Sequence, residues 1–142
     1  MSDEYNLQRF VDAQEGVYDR ALRSIHNRIL DPAWMAFIFP RFVNCYHDDA
    51  TSAFAIASLD EARAYLAHPV LGARLRESVA ALMAWAGRKP AEQILGPVDT
   101  MKLRSCLTLF EAASGDRPFG HAIDAFFDGR RDDVTLRLLT KL

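Results

Sequence analysis

Hydrophobic residues recur at helical spacing along most of the chain, and the spacing is clearest near its start. Between residues 7 and 30 they follow the i, i+3, i+4, i+7 pattern that puts side chains on one face of an α-helix. The residues on this face are Leu7, Phe10, Val11, Gln14, Val17, Tyr18, Ala21, Leu22 and Ile25. The pattern predicts a long amphipathic helix that begins after an N-cap at Asn6 and ends near Leu30.

Prolines, glycines and capping residues divide the rest of the chain into shorter helices. Pro32 suits the first position of a helix that runs to about Phe39, and a loop is expected from Arg41 to Asp49. Ser58 and Glu61 have the spacing of a capping box. Further helices are predicted over Thr51–Ser58, from Ser58 to His68, from Pro69 to Gly87, over Pro90–Leu95, from Asp99 to about Ala113, over Pro118–Phe127, and from Asp132 or Asp133 onward.

No alternating run of strand length bounded by hairpin signals interrupts these patterns. The chain has 142 residues, half of them hydrophobic, which is enough for one substantial core. We therefore predict an all-α fold: a single compact multi-helix domain, residues 1–142, of seven to nine helices.

Charge and cysteine content limit the classes of partner and compartment. The 17 basic and 19 acidic residues give a net charge of −2, which does not favour nucleic-acid binding. No apolar run approaches the ~20 residues that a membrane span needs. The start of the chain is acidic and does not resemble an export signal, so Cys45 and Cys106 are expected to be free thiols. We expect a soluble cytoplasmic protein with no nucleic-acid or membrane partner.

Several short segments carry a distinctive combination of residues. They are Leu7-Gln8-Arg9-Phe10-Val11-Asp12-Ala13-Gln14, Trp34-Met35, Phe37-Ile38-Phe39-Pro40, Glu61-Ala62-Arg63-Ala64-Tyr65-Leu66, His68-Pro69-Val70-Leu71-Gly72, Lys102-Leu103-Arg104-Ser105, Thr108-Leu109-Phe110 and Phe126-Phe127. Together they resemble the DUF1810 family of uncharacterised bacterial and fungal proteins, and the resemblance covers nearly the whole chain. It implies a mainly helical fold and implies no established activity.

The chain departs from the usual pattern of that family in its aromatic motif. Ala33 stands where the resemblance leads us to expect His, Ala36 where it leads us to expect a second Trp, and Arg41 where it leads us to expect Gln. Cys106 replaces a usual Ser. These differences imply either an altered ligand or a segment that keeps only a structural role.

The segment from Trp34 to Arg41 is the first candidate binding site. An aromatic wall beside a cation suits a planar ligand, with Arg41 binding a carboxylate or phosphate in bidentate fashion. The alternative is that Trp34, Phe37 and Phe39 fill the core and Arg41 lies in solvent.

Two polar residues lie on the apolar face of the first predicted helix. Gln14 and Tyr18 are four residues apart and therefore point the same way. An inward amide needs a hydrogen-bond partner, which is either a ligand or a backbone carbonyl near a helix end. Tyr18 taken alone also suits a core position from which the hydroxyl reaches the surface.

Other candidates have equally simple structural alternatives. Lys102 and Ser105 share a helix face and suit anion binding or a Ser–Lys nucleophile pair, whereas an Asp99–Lys102 surface pair explains the same charges. His68 suits a general base, or else an N-cap that orients the turn at Pro69.

Two polar runs are interpreted as structural. Cys45, His47 and Asp48 lie close together without the paired spacing of a zinc site, so a solvated loop is expected and no metal or cofactor. The run from Arg130 to Asp133 is interpreted as a surface helix start with its own cap.

These observations favour a small-molecule-binding module for an anionic or planar ligand, with a pocket between the first helix, the Trp34 segment and the Lys102 helix. The candidate ligand-binding residues are Gln14, Tyr18, Trp34, Arg41, His68, Lys102 and Ser105. One alternative is an enzyme in which His68 or Tyr18 carries a proton, although Ala33 in place of His weighs against it. The other is a protein-interaction module or homodimer that uses Phe119, Phe126 and Phe127.

Overall fold

A computed structural model describes residues 3–27, 31–43 and 53–140. Within these ranges β structure is limited to an isolated parallel bridge between Phe42 and Ile56. The described residues contain nine α-helices, the third preceded by a 3₁₀ turn at Pro32–Trp34, which confirms the all-α fold of seven to nine helices. The helices are α1 (Gln8–Gln14), α2 (Tyr18–His26), α3 (Met35–Ile38), α4 (Leu59–Ala67), α5 (Leu71–Met83), α6 (Ala91–Leu95), α7 (Pro97–Ser114), α8 (Arg117–Phe127) and α9 (Asp133–Thr140).

The single long helix predicted at the start of the chain is wrong, because the structure has two helices there. Gly16 adopts a left-handed φ of +76° between α1 and α2 and interrupts the helical backbone. Gln14 and Tyr18 are nevertheless both buried on either side of the break. The apolar spacing continues across the junction, which is why the pattern alone concealed it. The predicted end near Leu30 lies outside the described residues.

The start of α1 is capped by a residue other than the predicted one. Asn6 lies at a φ of +53° and gives no side-chain cap. Instead the Asp3 carboxylate accepts the backbone N–H groups of Leu7 and Gln8, at 2.7 and 2.8 Å. These two hydrogen bonds hold the pKa of Asp3 below its usual range.

The predicted cap at Ser58 is confirmed. Its hydroxyl accepts the Glu61 N–H at 3.0 Å, as a capping box requires. The Glu61 carboxylate reaches one residue further back than expected and accepts the N–H of Ala57 at 3.0 Å. The helix predicted over Thr51–Ser58 is wrong for its described part, because Ile56 exchanges backbone hydrogen bonds with the segment at Arg41.

One later helix start differs from expectation and another matches it. Helix α7 begins at Pro97 after Gly96, so Asp99 lies inside its first turn and does not cap it. Helix α9 begins as predicted after Asp132, whose carboxylate accepts the Thr135 N–H at 3.0 Å.

Arg9 fixes α1 to the chain on both sides of Ile56. Its guanidinium donates to the carbonyl oxygens of Ala53 and Ala55, each at 2.9 Å, and pairs with Glu61 at 2.8 Å. It also donates to the carbonyl oxygen of Tyr5 at 2.6 Å. One side chain therefore joins α1, the segment before Ile56 and the start of α4.

A file of aromatic rings passes through the core and connects four helices. Phe10 meets Tyr65 edge to face with ring centroids 5.0 Å apart, and Tyr65 lies 5.3 Å from Phe110. Phe110 in turn lies 5.9 Å from Phe119. All four side chains are fully buried, so the aromatic file joins α1, α4, α7 and α8. None of the described helices is long and apolar enough to cross a membrane.

Candidate functional site

Gln14 is buried, as predicted, and its amide is bonded to the protein. Nε2 donates to the carbonyl oxygen of Phe37 at 2.8 Å and lies 3.4 Å from the Tyr65 hydroxyl. Oε1 accepts from Nη1 of Arg74 at 3.2 Å. The Phe37 carbonyl lies near the end of α3. Gln14 therefore follows the predicted alternative in which its partner is a backbone carbonyl near a helix end.

Tyr18 lies beside Gln14 and faces α5. Its hydroxyl donates to the Glu77 carboxylate and lies 3.2 Å from the carbonyl oxygen of Arg74. The Arg74 guanidinium lies 4.7 Å above the Tyr18 ring. Burial raises the pKa of Tyr18, and the hydrogen bond to Glu77 raises it further. The phenol therefore keeps its proton near neutral pH.

Two other side chains that could react, the Cys106 thiol and the Tyr65 phenol, are fully buried in the core. Burial raises the pKa of the Cys106 thiol, and the positive charge of Arg41 only partly opposes that shift. Burial likewise raises the pKa of Tyr65, although the hydrogen bond from Gln14 opposes it. A thiol that stays protonated is a poor nucleophile, so Cys106 is not activated for covalent chemistry.

The Trp34 to Arg41 segment contributes to the core. Phe39 is fully buried, while Trp34 and Phe37 are partly buried and pack against the core. Arg41 is also buried, so the alternative that placed it in solvent is wrong. The aromatic side chains follow the structural alternative.

Ser105 lies in a polar cluster between α7 and α9. Its hydroxyl donates to Oδ2 of Asp132 at 3.1 Å, and the same oxygen accepts from the Thr135 hydroxyl at 2.6 Å. The Asp132 N–H donates to the Thr108 hydroxyl at 2.9 Å. All four residues are buried. The cluster anchors the start of α9 on α7.

The two remaining candidates both have partners within the protein, although the setting of Lys102 differs from its predicted alternative. Lys102 Nζ lies 3.6 Å from the Asp99 carboxylate, although both side chains are largely buried and do not form a surface pair. His68 Nδ1 accepts the N–H groups of Val70 and Leu71 at 3.1 and 3.2 Å, and so caps the start of α5.

The hydrogen bonds and ring contacts place the predicted residues in different parts of the fold. They join Gln14 and Tyr18 through Arg74, but they join Ser105 to Asp132. Sequence reasoning also missed a cavity that opens beside this last cluster.

The missed cavity has a volume of about 550 Å³ and lies between α7, the α8–α9 turn and α9. We call it the arginine groove. It is lined by Met101, Arg104, Arg130, Arg131, Asp132, Asp133, Val134 and Arg137. Its size is within the range of small-molecule sites, and its four guanidinium groups outnumber its two carboxylates.

Arg131 is fully engaged in holding the wall of the groove. Its guanidinium binds the Glu111 carboxylate through two hydrogen bonds of 2.9 and 2.7 Å. It also donates to the carbonyl oxygen of Gly129 at 2.8 Å. The Arg131 hydrogen bonds lower the pKa of Glu111, and those to Glu111 raise the pKa of Arg131.

The other arginines of the groove are bound more loosely. Arg104 lies 3.9 Å from Asp132, and its guanidinium is 5.8 Å from the centroid of the Phe127 ring. Arg130 and Arg137 are exposed, and neither forms an ion pair with a carboxylate among the described residues. Arg137 instead donates weakly to the carbonyl oxygen of Asp133 at 3.4 Å.

The start of α9 adds backbone donors to the same cavity. The first N–H groups of a helix have no intrahelical acceptor. Hydrogen bonds to side chains occupy those of Asp132 and Thr135. The N–H groups of Asp133 and Val134 come between these two, and both residues line the groove. The positive end of the helix dipole therefore coincides with the arginine side chains.

The groove was missed because its residues come from separated parts of the chain. The run from Arg130 to Asp133 was correctly recognised as a capped helix start. Only the packing of α9 on α7 brings Arg104 to it. The signal available in the sequence was the arginine pair directly before a cap.

The described residues contain no candidate metal site. In the part of the chain that the structure describes, no three His, Cys, Asp or Glu side chains are grouped to hold an ion. The run that contains Cys45, His47 and Asp48, and the loop expected there, lie outside that part.

Comparison with known proteins identifies relatives of the whole chain. The family described as "Protein of unknown function (DUF1810)" matches residues 4–139. The crystal structure of the conserved hypothetical protein Rv1873 from Mycobacterium tuberculosis superposes with a TM-score of 0.92 at 33% identity, covering 97% of this chain and 99% of that one. A search of curated proteins found no match. The chain therefore belongs to the DUF1810 family, as its sequence motifs predicted.

Proposed function

We propose that this protein binds a small anionic molecule in the arginine groove. The observation that carries the proposal is the convergence of Arg104, Arg130 and Arg137 on one cavity. Their guanidinium groups have at most a loose carboxylate partner among the described residues. Guanidinium groups bind phosphate and carboxylate oxygens in bidentate fashion, and an anion here would satisfy them.

The proposed ligand has the negative charge expected from the sequence, but its site differs from the pocket predicted there. Of the residues predicted to bind it, Ser105 lies directly behind the groove through its hydrogen bond to Asp132. Gln14 and Tyr18 are already bonded to Phe37, Arg74 and Glu77, so an anion would have to displace protein partners there. At Arg130 an anion would have no carboxylate partner to displace among the described residues.

The two alternative functions draw less support from the contacts. The Tyr18 hydroxyl is bonded to Glu77 and lies beside the carbonyl oxygen of Arg74, and His68 Nδ1 accepts two backbone N–H groups, so both candidate proton carriers have structural partners. Phe119 is fully buried, and Phe126 and Phe127 pack against the core, so these rings offer little apolar surface to a partner. A homodimer stays a prediction that no observation here addresses.

The proposal is tested by titrating the full-length protein with inorganic phosphate at low ionic strength while recording amide NMR spectra. We expect saturable shifts at Asp133 and Val134, because both residues line the groove at the start of α9, where helix N–H groups favour anions. Arg130→Gln and Arg137→Gln should each raise Kd about tenfold, which corresponds to ~1.4 kcal/mol for one charge-assisted contact.

Arg117→Gln is the matched control. It removes one exposed arginine at the opposite end of α8 from the turn that carries Arg130. It should leave Kd nearly unchanged. Equal phosphate binding by all three variants, or an absence of saturable shifts in the wild-type protein, would contradict the proposal.

A further inference from the structure

Resting on the proposed function, we infer that the ligand of the arginine groove is a phosphate monoester with an apolar body attached to its phosphate. The number of hydrogen-bond donors, and their origin in three different elements, favour the phosphate. The size of the cavity and its apolar lining favour the attached body.

The donors exceed what one carboxylate accepts. Arg104 belongs to α7, Arg130 to the α8–α9 turn and Arg137 to α9, and Asp133 and Val134 in the first turn of α9 line the same groove with backbone N–H groups that lack an intrahelical acceptor. A carboxylate offers two oxygens, whereas a phosphate monoester offers three terminal oxygens and close to two negative charges at neutral pH. The phosphate therefore matches both the donor count and the excess positive charge of the groove.

A bare phosphate would leave much of the cavity empty. The groove has a volume of about 550 Å³, whereas an ion of five heavy atoms occupies on the order of 100 Å³, judged from the ~30 Å³ share of one water molecule. Room therefore remains for a substituent of the size of an aromatic ring.

Apolar side chains line the space that remains. Met101 lines the groove with 49% of its surface exposed, and Val134 lines it from α9. Val98, one helical turn before Met101 on α7, is 64% exposed. Exposed apolar side chains beside clustered cations are typical of sites for ligands with a charged head and an apolar body. Met101 is the residue on which we expect that body to lie.

The test compares the affinities of inorganic phosphate, phenyl phosphate and benzoate for the full-length protein by calorimetry. Phenyl phosphate should bind about tenfold more tightly than inorganic phosphate, and more tightly than benzoate. Met101→Ala should abolish most of the gain from the phenyl group and change the Kd of inorganic phosphate far less than it changes that of phenyl phosphate. Val70→Ala, which shortens an exposed apolar side chain at the start of α5, should preserve the gain.

The outcomes separate this inference from the proposed function. Phosphate binding without a gain from the phenyl group overturns the inference and leaves the proposed function standing. Benzoate binding as tightly as phenyl phosphate overturns the choice of phosphate. A gain that survives in Met101→Ala overturns the role of Met101. An absence of binding by all three probes overturns the inference together with the proposed function.

Discussion

Gly72 marks a point where two helices leave no room for a side chain. A Cβ at this position would lie 2.0 Å from the carbonyl oxygen of Leu66, which is backbone and cannot move freely. Gly120 in α8 is also crowded, but its nearest neighbour is the Glu111 carboxylate at 2.6 Å, the end of a flexible side chain. The two glycines therefore differ in how rigid their surroundings are.

We expect Gly72→Ala to lower the free energy of unfolding by about 2 kcal/mol. Alanine favours a helix over glycine by up to ~1 kcal/mol, but crowding against a fixed backbone carbonyl costs more than that gain. Gly120→Ala is the matched variant, and it should lose less, because the Glu111 side chain can shift at the expense of its pair with Arg131 whereas a backbone carbonyl cannot. Urea denaturation measures both. A Gly72→Ala protein as stable as the wild type would show that the contact is not rigid.

Single residues also show where sequence reasoning reaches its limit. The burial of Gln14 was predicted, because burial follows from its position on the apolar face. Its partners were not, since Phe37 and Arg74 follow it by 23 and 60 residues and only tertiary packing brings them near. The arginine groove was missed for the same reason, because Arg104 and Arg130 belong to different elements.

At the scale of elements, the junction between α1 and α2 is the clearest departure from the sequence pattern. Gly16 has a φ of +76°, and the space around its missing side chain is empty to 4 Å. The constraint at this position is therefore one of backbone conformation alone. Helix starts were predicted where a side chain caps the backbone, as at Ser58, and mispredicted at α1 and α7, whose starts depend on residues that the periodicity does not single out.

We expect Gly16→Ala to lower the free energy of unfolding by about 1 kcal/mol, the cost of forcing an L-residue into the left-handed region. Circular dichroism should show no gain in helix, because Gln14 and Tyr18 are both buried and fix the helices on either side. Glu15→Ala, at the exposed neighbour, should have little effect. A more stable and more helical Gly16→Ala protein would indicate that α1 and α2 merge, and would contradict this expectation.

At the scale of the whole molecule, an ion-pair network fixes the helices that form the groove. Arg131, in the α8–α9 turn, binds Glu111 of α7 and lies 3.5 Å from Asp124 of α8. The membership in DUF1810 and the all-α class were predicted from motifs and spacing. The ion-pair network was not predicted, because it depends on how α7, α8 and α9 pack together.

The network should make stability depend on pH. Hydrogen bonds from Arg131 hold the pKa of Glu111 below its reference value of 4.5 in the folded protein. A carboxylate whose pKa is lower in the folded than in the unfolded protein stabilises the fold at pH values above its unfolded-state pKa. That stabilisation is lost as the pH falls through the folded-state pKa. We expect the free energy of unfolding of the wild type to exceed that of Glu111→Gln by about 1 kcal/mol at neutral pH. This difference should shrink below pH 4.5.

Unfolding in urea at several pH values measures this difference. Asp60→Asn is the control, because the Asp60–Arg63 pair is largely exposed and should contribute little at any pH. A difference between wild type and Glu111→Gln that stays constant down to strong acid would contradict an ionic origin.

The bonds of Arg9 set an order of events during synthesis of the chain. Its acceptors at Ala53, Ala55 and Glu61 follow it by 44, 46 and 52 residues. Helix α1 therefore leaves the ribosome long before the groups that hold it exist, and a helix of 7 residues is not stable alone in water. Helix α1, which precedes the other described helices in the chain, is therefore one of the later ones to dock, because α4 must emerge before α1 can be held.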